Sequence, residues 1–276
     1  MEKPLENVQL AFIGAGAMGE ALMGGLLGAG RVAPGQLTAT DARPERLEEM
    51  RGRFGIQAVA DNRAAARAAD VVVLAVKPQV LPAVLAELRG AVRREALVLS
   101  IVAGATVESI AGATGHGSIV RTMPNTPAQI GEGMTVWTAT PEVSTAQRAQ
   151  AQAIVGAFGR ELYVADERFL DMATAVSGSG PAYAFLFIEA FIDAAVHLGW
   201  PRPQARELVM QTLRGSVLFA ERSAAHPAEL RSQVTSPGGT TAAAVHQLEK
   251  GALRTAVSEA VRAAYDRSVE LGRSDN

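Results

Sequence analysis

Val8-Gln-Leu-Ala-Phe-Ile-Gly14-Ala-Gly16-Ala-Met-Gly19 joins an apolar run ending at Ile13 to three glycines spaced G-x-G-x-x-G. Beyond it, Ala21, Leu22, Leu26 and Leu27 recur at helical intervals. Strand, tight turn and helix start, in that order, describe a dinucleotide-binding unit. Gly14 makes the turn, Gly16 lets the backbone approach a pyrophosphate, and Gly19 lets the helix pack closely on the strand. Unpaired N–H groups at the helix start, with the positive end of its dipole, then hold the phosphates, flanked by Ala15, Ala17 and Met18.

Working outward, Leu37–Thr40 reads as a second strand ending at Asp41. Asp41 lies about 22 residues past Gly19, where an acidic residue binds a ribose 2′-hydroxyl. Arg43 is suited instead to a 2′-phosphate, so NADPH and NADH both stay open. A short strand near Ile56–Val59 leads to Asn62 and an Ala/Arg-rich helix. Val71–Val76 is the most apolar stretch and reads as a central parallel strand buried on both faces. Lys77-Pro78 follows at its carboxyl end, the edge at which open α/β sheets bind ligands. Lys3 and Lys250 are the only other lysines, and Lys77 is read as a cofactor contact. Further strands are expected at Leu97–Val102, which runs into Ala103-Gly104 with Thr106 capping a helix, and at Ile119–Met123. Pro124-Asn125-Thr126-Pro127 then forms a rigid loop. Met134–Thr138 and Glu161–Val164 flank a helix over Ser144–Phe158.

Past Ala165 strand patterns give way to long helical ones. The expected architecture is α/β: a Rossmann-type dinucleotide-binding domain over residues 1–165, then an all-α domain over 166–276. Ser177-Gly-Ser-Gly-Pro181 reads as a helix start with proline in its first turn. Ala182–Leu198 is apolar nearly all round, with Glu189, Asp193 and His197 as its one polar stripe. That stripe reads as the solvated edge of a buried helix rather than as a metal site. Helices follow at Pro203–Arg222, Pro227–Gln233, Thr241–Glu249 and Ala252–Leu271. Ser236-Pro-Gly238-Gly239-Thr240-Thr241 repeats the chemistry of the first loop: small residues and orphan N–H groups at a helix start, joined by two hydroxyls. It reads as a carboxylate site; a plain threonine N-cap would need only one hydroxyl. The helices carry more apolar surface than so small a domain can cover, which points to a two-fold dimer.

Composition narrows the rest. The chain has 276 residues, 48% hydrophobic and 20% charged, with a net charge of −2. No basic surface argues for nucleic acid. The polar start, Met1-Glu-Lys-Pro-Leu-Glu, has no signal-peptide core, and no apolar run is expected to reach the roughly 20 residues that span a bilayer. The expected location is cytoplasmic. Cysteine is absent and the four histidines are scattered, so no metal site is expected.

A nicotinamide domain joined to an anion site suggests an oxidoreductase acting on a small acid. Reducing a ketone leaves an alkoxide, which calls for a lysine or histidine at the reacting oxygen. Residues 165–233 contain no lysine. An iminium arrives already protonated, and hydride neutralises it, so positioning and a hydrogen bond suffice. A related dehydrogenase or imine reductase with another substrate and a non-enzymatic nicotinamide-sensing regulator are the alternatives.

The sequence resembles the pyrroline-5-carboxylate reductase family in Phe12–Gly19, Ala75–Pro78, Met123–Pro127, Ser177–Tyr183 and Ser236–Thr241, in the family's order over nearly the whole chain. The resemblance implies reduction of 1-pyrroline-5-carboxylate to L-proline by a reduced nicotinamide. It implies cofactor contacts at Gly14 to Met18, Asn62, Ala75, Val76, Lys77, Pro78, Ala103 and Gly104, and Asn125 is counted with them. It implies that Ser236, Gly238, Gly239, Thr240 and Thr241 hold the substrate carboxylate, with Thr241 near the ring nitrogen, in a homodimer or higher oligomer with intertwined second domains. Members preferring NADPH often carry small hydroxyl residues where Asp41 stands, and Ala224 occupies a position that is acidic in some members.

Overall fold

The computed structural model describes residues 4–273. Its first half alternates strands and helices: β1 (Leu10–Ile13), α1 (Ala17–Gly28), β2 (Leu37–Thr40), α2 (Pro44–Phe54), β3 (Gln57–Ala58), α3 (Asn62–Ala68), β4 (Val71–Leu74), α4 (Leu81–Leu88), β5 (Leu97–Ser100), α5 (Val107–Thr114), β6 (Ile119–Met123), β7 (Gly133–Ala139), α6 (Thr145–Val155) and β8 (Gly159–Tyr163). The strands form one sheet in the order β3-β2-β1-β4-β5-β6-β7-β8. Every neighbouring pair is parallel except β6 with β7. That exception follows from the chain: the short Pro124–Glu132 connection contains only a 3-10 turn, and a parallel return needs a longer crossover.

Side chains alternate along the strands between two cores. Leu10 and Phe12 pack with Leu22, Leu26 and Phe158 on one face, while Ala11 and Ile13 pack with Leu81, Leu85 and Ile110 on the other. Burial on both faces is why Val71–Leu74 is apolar at every position. The ladder stops sooner than hydrophobicity suggests. β4 ends at Leu74, because after Ala75 the chain leaves the ladder and Lys77 caps a 3-10 turn starting at Pro78. β5 ends at Ser100, whose side chain accepts from Val102 N and bends the chain.

The second half is helical: α7 (Arg168–Ala173), α8 (Gly180–His197), α9 (Arg202–Arg222), α10 (Pro227–Gln233), α11 (Thr240–Lys250) and α12 (Leu253–Arg273). The chain divides into two compact units, one running to Ser179 and resuming at Ala264, the other covering Gly180–Ala263. The composition changes at Ala165, ahead of that division. The intervening α7 stays with the sheet, because its Leu170 and Ala173 pack on Val136 of β7.

α8 begins inside the expected Ser177–Pro181 start, at Gly180 with Pro181 in its first turn, but two other expectations for this region need correction. A π-helical turn over Thr174–Gly178 joins α7 to α8, with Ser179 N donating to Thr174 O at 2.8 Å. The joined run, Arg168–His197, spans 30 residues and is long and apolar enough by those measures to cross a membrane, although no such run was expected. Nor is α8 a buried helix in the single chain: none of its residues is buried, and Phe185 and Leu186 are 62% and 66% exposed.

Candidate active site

In the first unit the three glycines of the β1–α1 turn differ in kind. Gly14 has φ +99°, and a Cβ built on it would lie 2.6 Å from Ala75 O. A Cβ on Gly19 would lie 2.6 Å from Gly14 O, which is the close helix–strand contact expected there. Gly16 is different: its backbone is ordinary, and a Cβ would meet nothing within 4 Å. It is the N-cap of α1, no side chain caps it, and the space beside its backbone is open. The first-turn N–H groups therefore face a cradle that a diphosphate fits.

The strand order reverses at β1, between β2 and β4, and the carboxyl ends of these strands gather the predicted residues. Asp41, after β2, has a side chain only 12% exposed. Its Oδ2 accepts from Ala15 N at 3.2 Å, while its Oδ1 accepts from Arg43 N at 3.0 Å and Arg43 Nε at 3.1 Å. Partial burial pushes the carboxyl upward, but the Arg43 and Ala15 hydrogen bonds outweigh it and hold Asp41 below the usual carboxylate range. Arg43 itself is 65% exposed. Asp61 caps α3 and so places Asn62, whose Oδ1 accepts from Thr40 Oγ1 at 2.6 Å and whose Nδ2 donates to Glu87 at 2.8 Å.

Across β1, Ala75 and Val76 line the side of the turn that Gly14 must clear, and Lys77 stands exposed with Pro78 at the start of its 3-10 turn. At the end of β5, Gly104 has φ +78° and backs onto Leu271 and Gly272 of α12, with Ala103 beside it. Asn125 acts as a clamp within this unit: Nδ2 donates to Ser177 O at 3.0 Å and Oδ1 accepts from Met134 N at 2.9 Å.

Sequence reasoning missed Arg46. Its Nε donates to Ala15 O at 2.7 Å, and its guanidinium also pairs with Glu20 and Glu49. It therefore braces the glycine turn from α2. Pro44-Glu45-Arg46 reads as an ordinary helix start, and only the fold brings it to Ala15.

In the second unit, Gly238 (φ +69°) turns the chain and Gly239 N donates to Ser236 O at 3.1 Å. A Cβ on Gly239 would lie 2.5 Å from Ser236 Oγ, so a larger residue there would require the Ser236 hydroxyl to rotate away. Gly239, not a threonine, is the N-cap of α11, and no side chain caps the helix. The first bond back to the cap is Ala243 N to Gly239 O, leaving the N–H groups of Thr240, Thr241 and Ala242 ahead of the ladder. Ser236 and Thr240 are exposed and Thr241 half-buried. No group of metal-ligating side chains occurs among the described residues.

Residues 167–271 match the family model described as pyrroline-5-carboxylate reductase dimerisation, and residues 9–104 match one described as NADP oxidoreductase, coenzyme F420-dependent. The pyrroline-5-carboxylate reductase of Synechocystis is 43% identical over 97% of this chain and 99% of its own. That of Escherichia coli is 40% identical over 96% and 99%.

The chain belongs to the pyrroline-5-carboxylate reductase family.

It catalyses the NAD(P)H-dependent reduction of 1-pyrroline-5-carboxylate to L-proline, and its Rossmann-type and all-α halves are the family's architecture. Among solved structures, the Plasmodium falciparum pyrroline carboxylate reductase with NADP bound superposes with a TM-score of 0.90 at 33% identity, over 97% of this chain and 99% of that one. The Coxiella burnetii pyrroline-5-carboxylate reductase gives 0.88 at 37% identity, over 96% and 98%.

Proposed function

We propose that this reductase holds NADPH along the carboxyl edge of β2, β1, β4 and β5, accepts NADH as well, and holds the substrate carboxylate at the start of α11. The observation that carries the second half is the glycine N-cap of α11, which leaves backbone donors and two threonine hydroxyls with no capping side chain. The α1 start has the same glycine cap, and the open space at Gly16 fits the pyrophosphate. In this reading Ala15, Ala17, Met18 and Gly19 complete the phosphate turn. Asp41 and Arg43 meet the adenosine ribose, Asn62 borders that end, and Ala75–Pro78, Ala103–Gly104 and Asn125 serve the nicotinamide half. The NADP bound by the Plasmodium relative supports NADPH as the first choice.

When bound, the nicotinamide supplies the hydride that the imine carbon receives. The chain's own task is to orient. N–H groups of the Ser236–Thr241 turn and α11 start hold the carboxylate, and Thr241 hydrogen-bonds the ring nitrogen. No residue need donate a proton, because the nitrogen arrives protonated and leaves as the amine. A second copy of the chain covers the apolar faces of α8, α9 and α12, including Phe185, Leu186, Phe219 and Val257. The match of residues 167–271 to a dimerisation model supports a homodimer or a higher homo-oligomer.

Thr241→Ala tests the carboxylate half. A lost hydrogen bond to a charged group weakens binding by roughly 1.5–3 kcal/mol, about ten- to a hundredfold in kcat/KM for the imino acid. NADPH affinity, measured by titration, stays near that of the wild type. Normal turnover with damaged NADPH binding would assign the loop to the other ligand.

A further inference from the structure

Arg121 lies in the middle of β6, on the same face of the sheet as Ile119, and its side chain is only 4% exposed. A charge taken out of water there is tolerated only with close partners. It has two: Nη1 donates to Glu167 Oε1 at 2.7 Å, and Nη2 to Asp171 Oδ1 at 3.3 Å. Both carboxylates also reach onward. The same Glu167 Oε1 accepts from Val107 N at 2.8 Å, in the first turn of α5. The same Asp171 Oδ1 accepts from Ser268 Oγ at 3.0 Å, near the end of α12. One buried guanidinium thus ties the start of α5 to the end of α12.

These two elements bracket the Ala103–Gly104 turn. The turn runs from β5 into α5, with Thr106 Oγ1 accepting from Ser109 N. On its other side Gly104 is backed by α12: a Cβ on Gly104 would lie 3.4 Å from Leu271 Cβ, and one on Gly272 would lie 3.4 Å from Gly104 O. With the sheet ordered β2-β1-β4-β5, this turn and Asp41 lie on opposite sides of β1. A dinucleotide centred on the β1 turn therefore places its adenosine end by Asp41 and its nicotinamide end by Ala103–Gly104.

We propose that Arg121 is a positioning residue for the nicotinamide end of the cofactor: through Glu167 and Asp171 it holds the Ala103–Gly104 turn and the end of α12 in register. The proposal rests on the reading that this turn meets the dinucleotide. An apolar side chain could fill the same volume and pack as well or better, so packing alone does not call for a buried arginine. What arginine adds is two directed bonds, each holding a carboxylate that holds a backbone or hydroxyl group.

The test compares two ligands on the full-length protein: NADPH, and 2′,5′-ADP, which carries the adenosine end alone. In Arg121→Met the dissociation constant for NADPH is expected to rise about tenfold or more, the effect of moving a binding wall by a fraction of an ångström to one ångström. That for 2′,5′-ADP stays within about twofold, as for a site that shares no partner with the change. Equal weakening of both ligands, or of neither, overturns the proposal. Should Arg121→Met fail to fold, Ser268→Ala decides. It removes one hydroxyl, and NADPH alone should weaken, by about two- to tenfold. Ala103→Glu checks the underlying reading by putting a carboxylate on the turn itself. If that variant binds NADPH normally, the turn is not a cofactor contact and both readings fall. If it weakens NADPH while Arg121→Met and Ser268→Ala do not, only the role of Arg121 falls.

Discussion

Gly14→Ala and Gly16→Ala add the same methyl group two residues apart, and the structure gives them opposite consequences. At Gly14 the backbone is at φ +99°, and the new Cβ would lie 2.6 Å from Ala75 O and 2.9 Å from Val76 Cγ1. Backbone strain of about 1–3 kcal/mol adds to overpacking of similar size. The sum, about 2–6 kcal/mol, lowers the thermal midpoint by about 5–20 °C in a chain of this size. At Gly16 φ is −65° and ψ −177°, which any residue adopts, and nothing lies within 4 Å of the added carbon. Stability should hold or rise by up to about 1 kcal/mol, because alanine has less freedom to lose on folding. The methyl instead enters the open space proposed for a pyrophosphate at the first N–H groups of α1. Displacing one charge-assisted hydrogen bond there weakens NADPH by about ten- to a hundredfold. Thermal melting without ligand and a binding titration with NADPH separate the two effects. A Gly16→Ala protein that binds NADPH like the wild type would remove the pyrophosphate from this helix start. One that melts early would contradict the open space.

Asp41→Ser should shift the ratio of the two kcat/KM values toward NADPH and Arg43→Ala away from it; an unchanged ratio in both would mean that the ribose end lies elsewhere. The hydrogen-bonded Asp41 carboxyl sits below its ordinary value of 3.8, so it stabilises the fold above that pH and its contribution is lost as pH falls through the depressed value. Asp41→Asn should therefore be less stable than the wild type near neutrality, with a gap that closes in acid; denaturant titrations showing a constant gap would sink this account. The resemblance implies sites shared between subunits, and mixed dimers test it: a Gly16→Asp chain paired with a Gly239→Asp, Thr241→Ala chain recovers turnover only if each site draws its dinucleotide and its loop from different chains. Verified mixed dimers that stay inactive rule out sharing.

What the sequence revealed, and what it hid, divides along physical lines. The strand–turn–helix at Gly14 was legible because Gly14 and Gly19 answer local steric demands: a Cβ added at either would lie 2.6 Å from a backbone oxygen. Ile119–Met123 ends at Pro124 and Pro227–Gln233 begins at its own proline, where sequence punctuation places them. Val71–Val76 ran past its true end because hydrophobicity reports burial, whereas a strand ends where the ladder stops. The packing of α7 on Val136 was hidden because a helix carries no label in its sequence for what it packs on. Arg46 and Arg121 were invisible as braces for the same reason. Their partners lie 31 and 46–50 residues away, a separation that no spacing rule reaches. Asn125 was singled out for its rigid loop, but its clamp on Ser177 and Met134 needs the fold.

The helix start assigned to the substrate carboxylate carries no cationic residue in its own sequence, and the chemistry gives a reason. From Thr235 to Val245 no residue carries a charge. A lysine or arginine would bind the substrate carboxylate firmly, but the substrate also carries an iminium nearby. Two like charges about 4 Å apart repel by about 4 kcal/mol at an effective dielectric of 20. That repulsion would fall on the protonated, reactive form of the substrate. In the proposed reading, backbone N–H groups and threonine hydroxyls would hold the carboxylate with partial charges instead, and the hydroxyl of Thr241 would turn its oxygen toward the N–H of the iminium. The glycine cap of α11 serves this arrangement, because a Ser, Asp or Asn cap would occupy the first-turn donors with its own oxygen. On the proposed reading the same turn would bind an anion and tolerate a neighbouring cation until hydride arrival removes the positive charge.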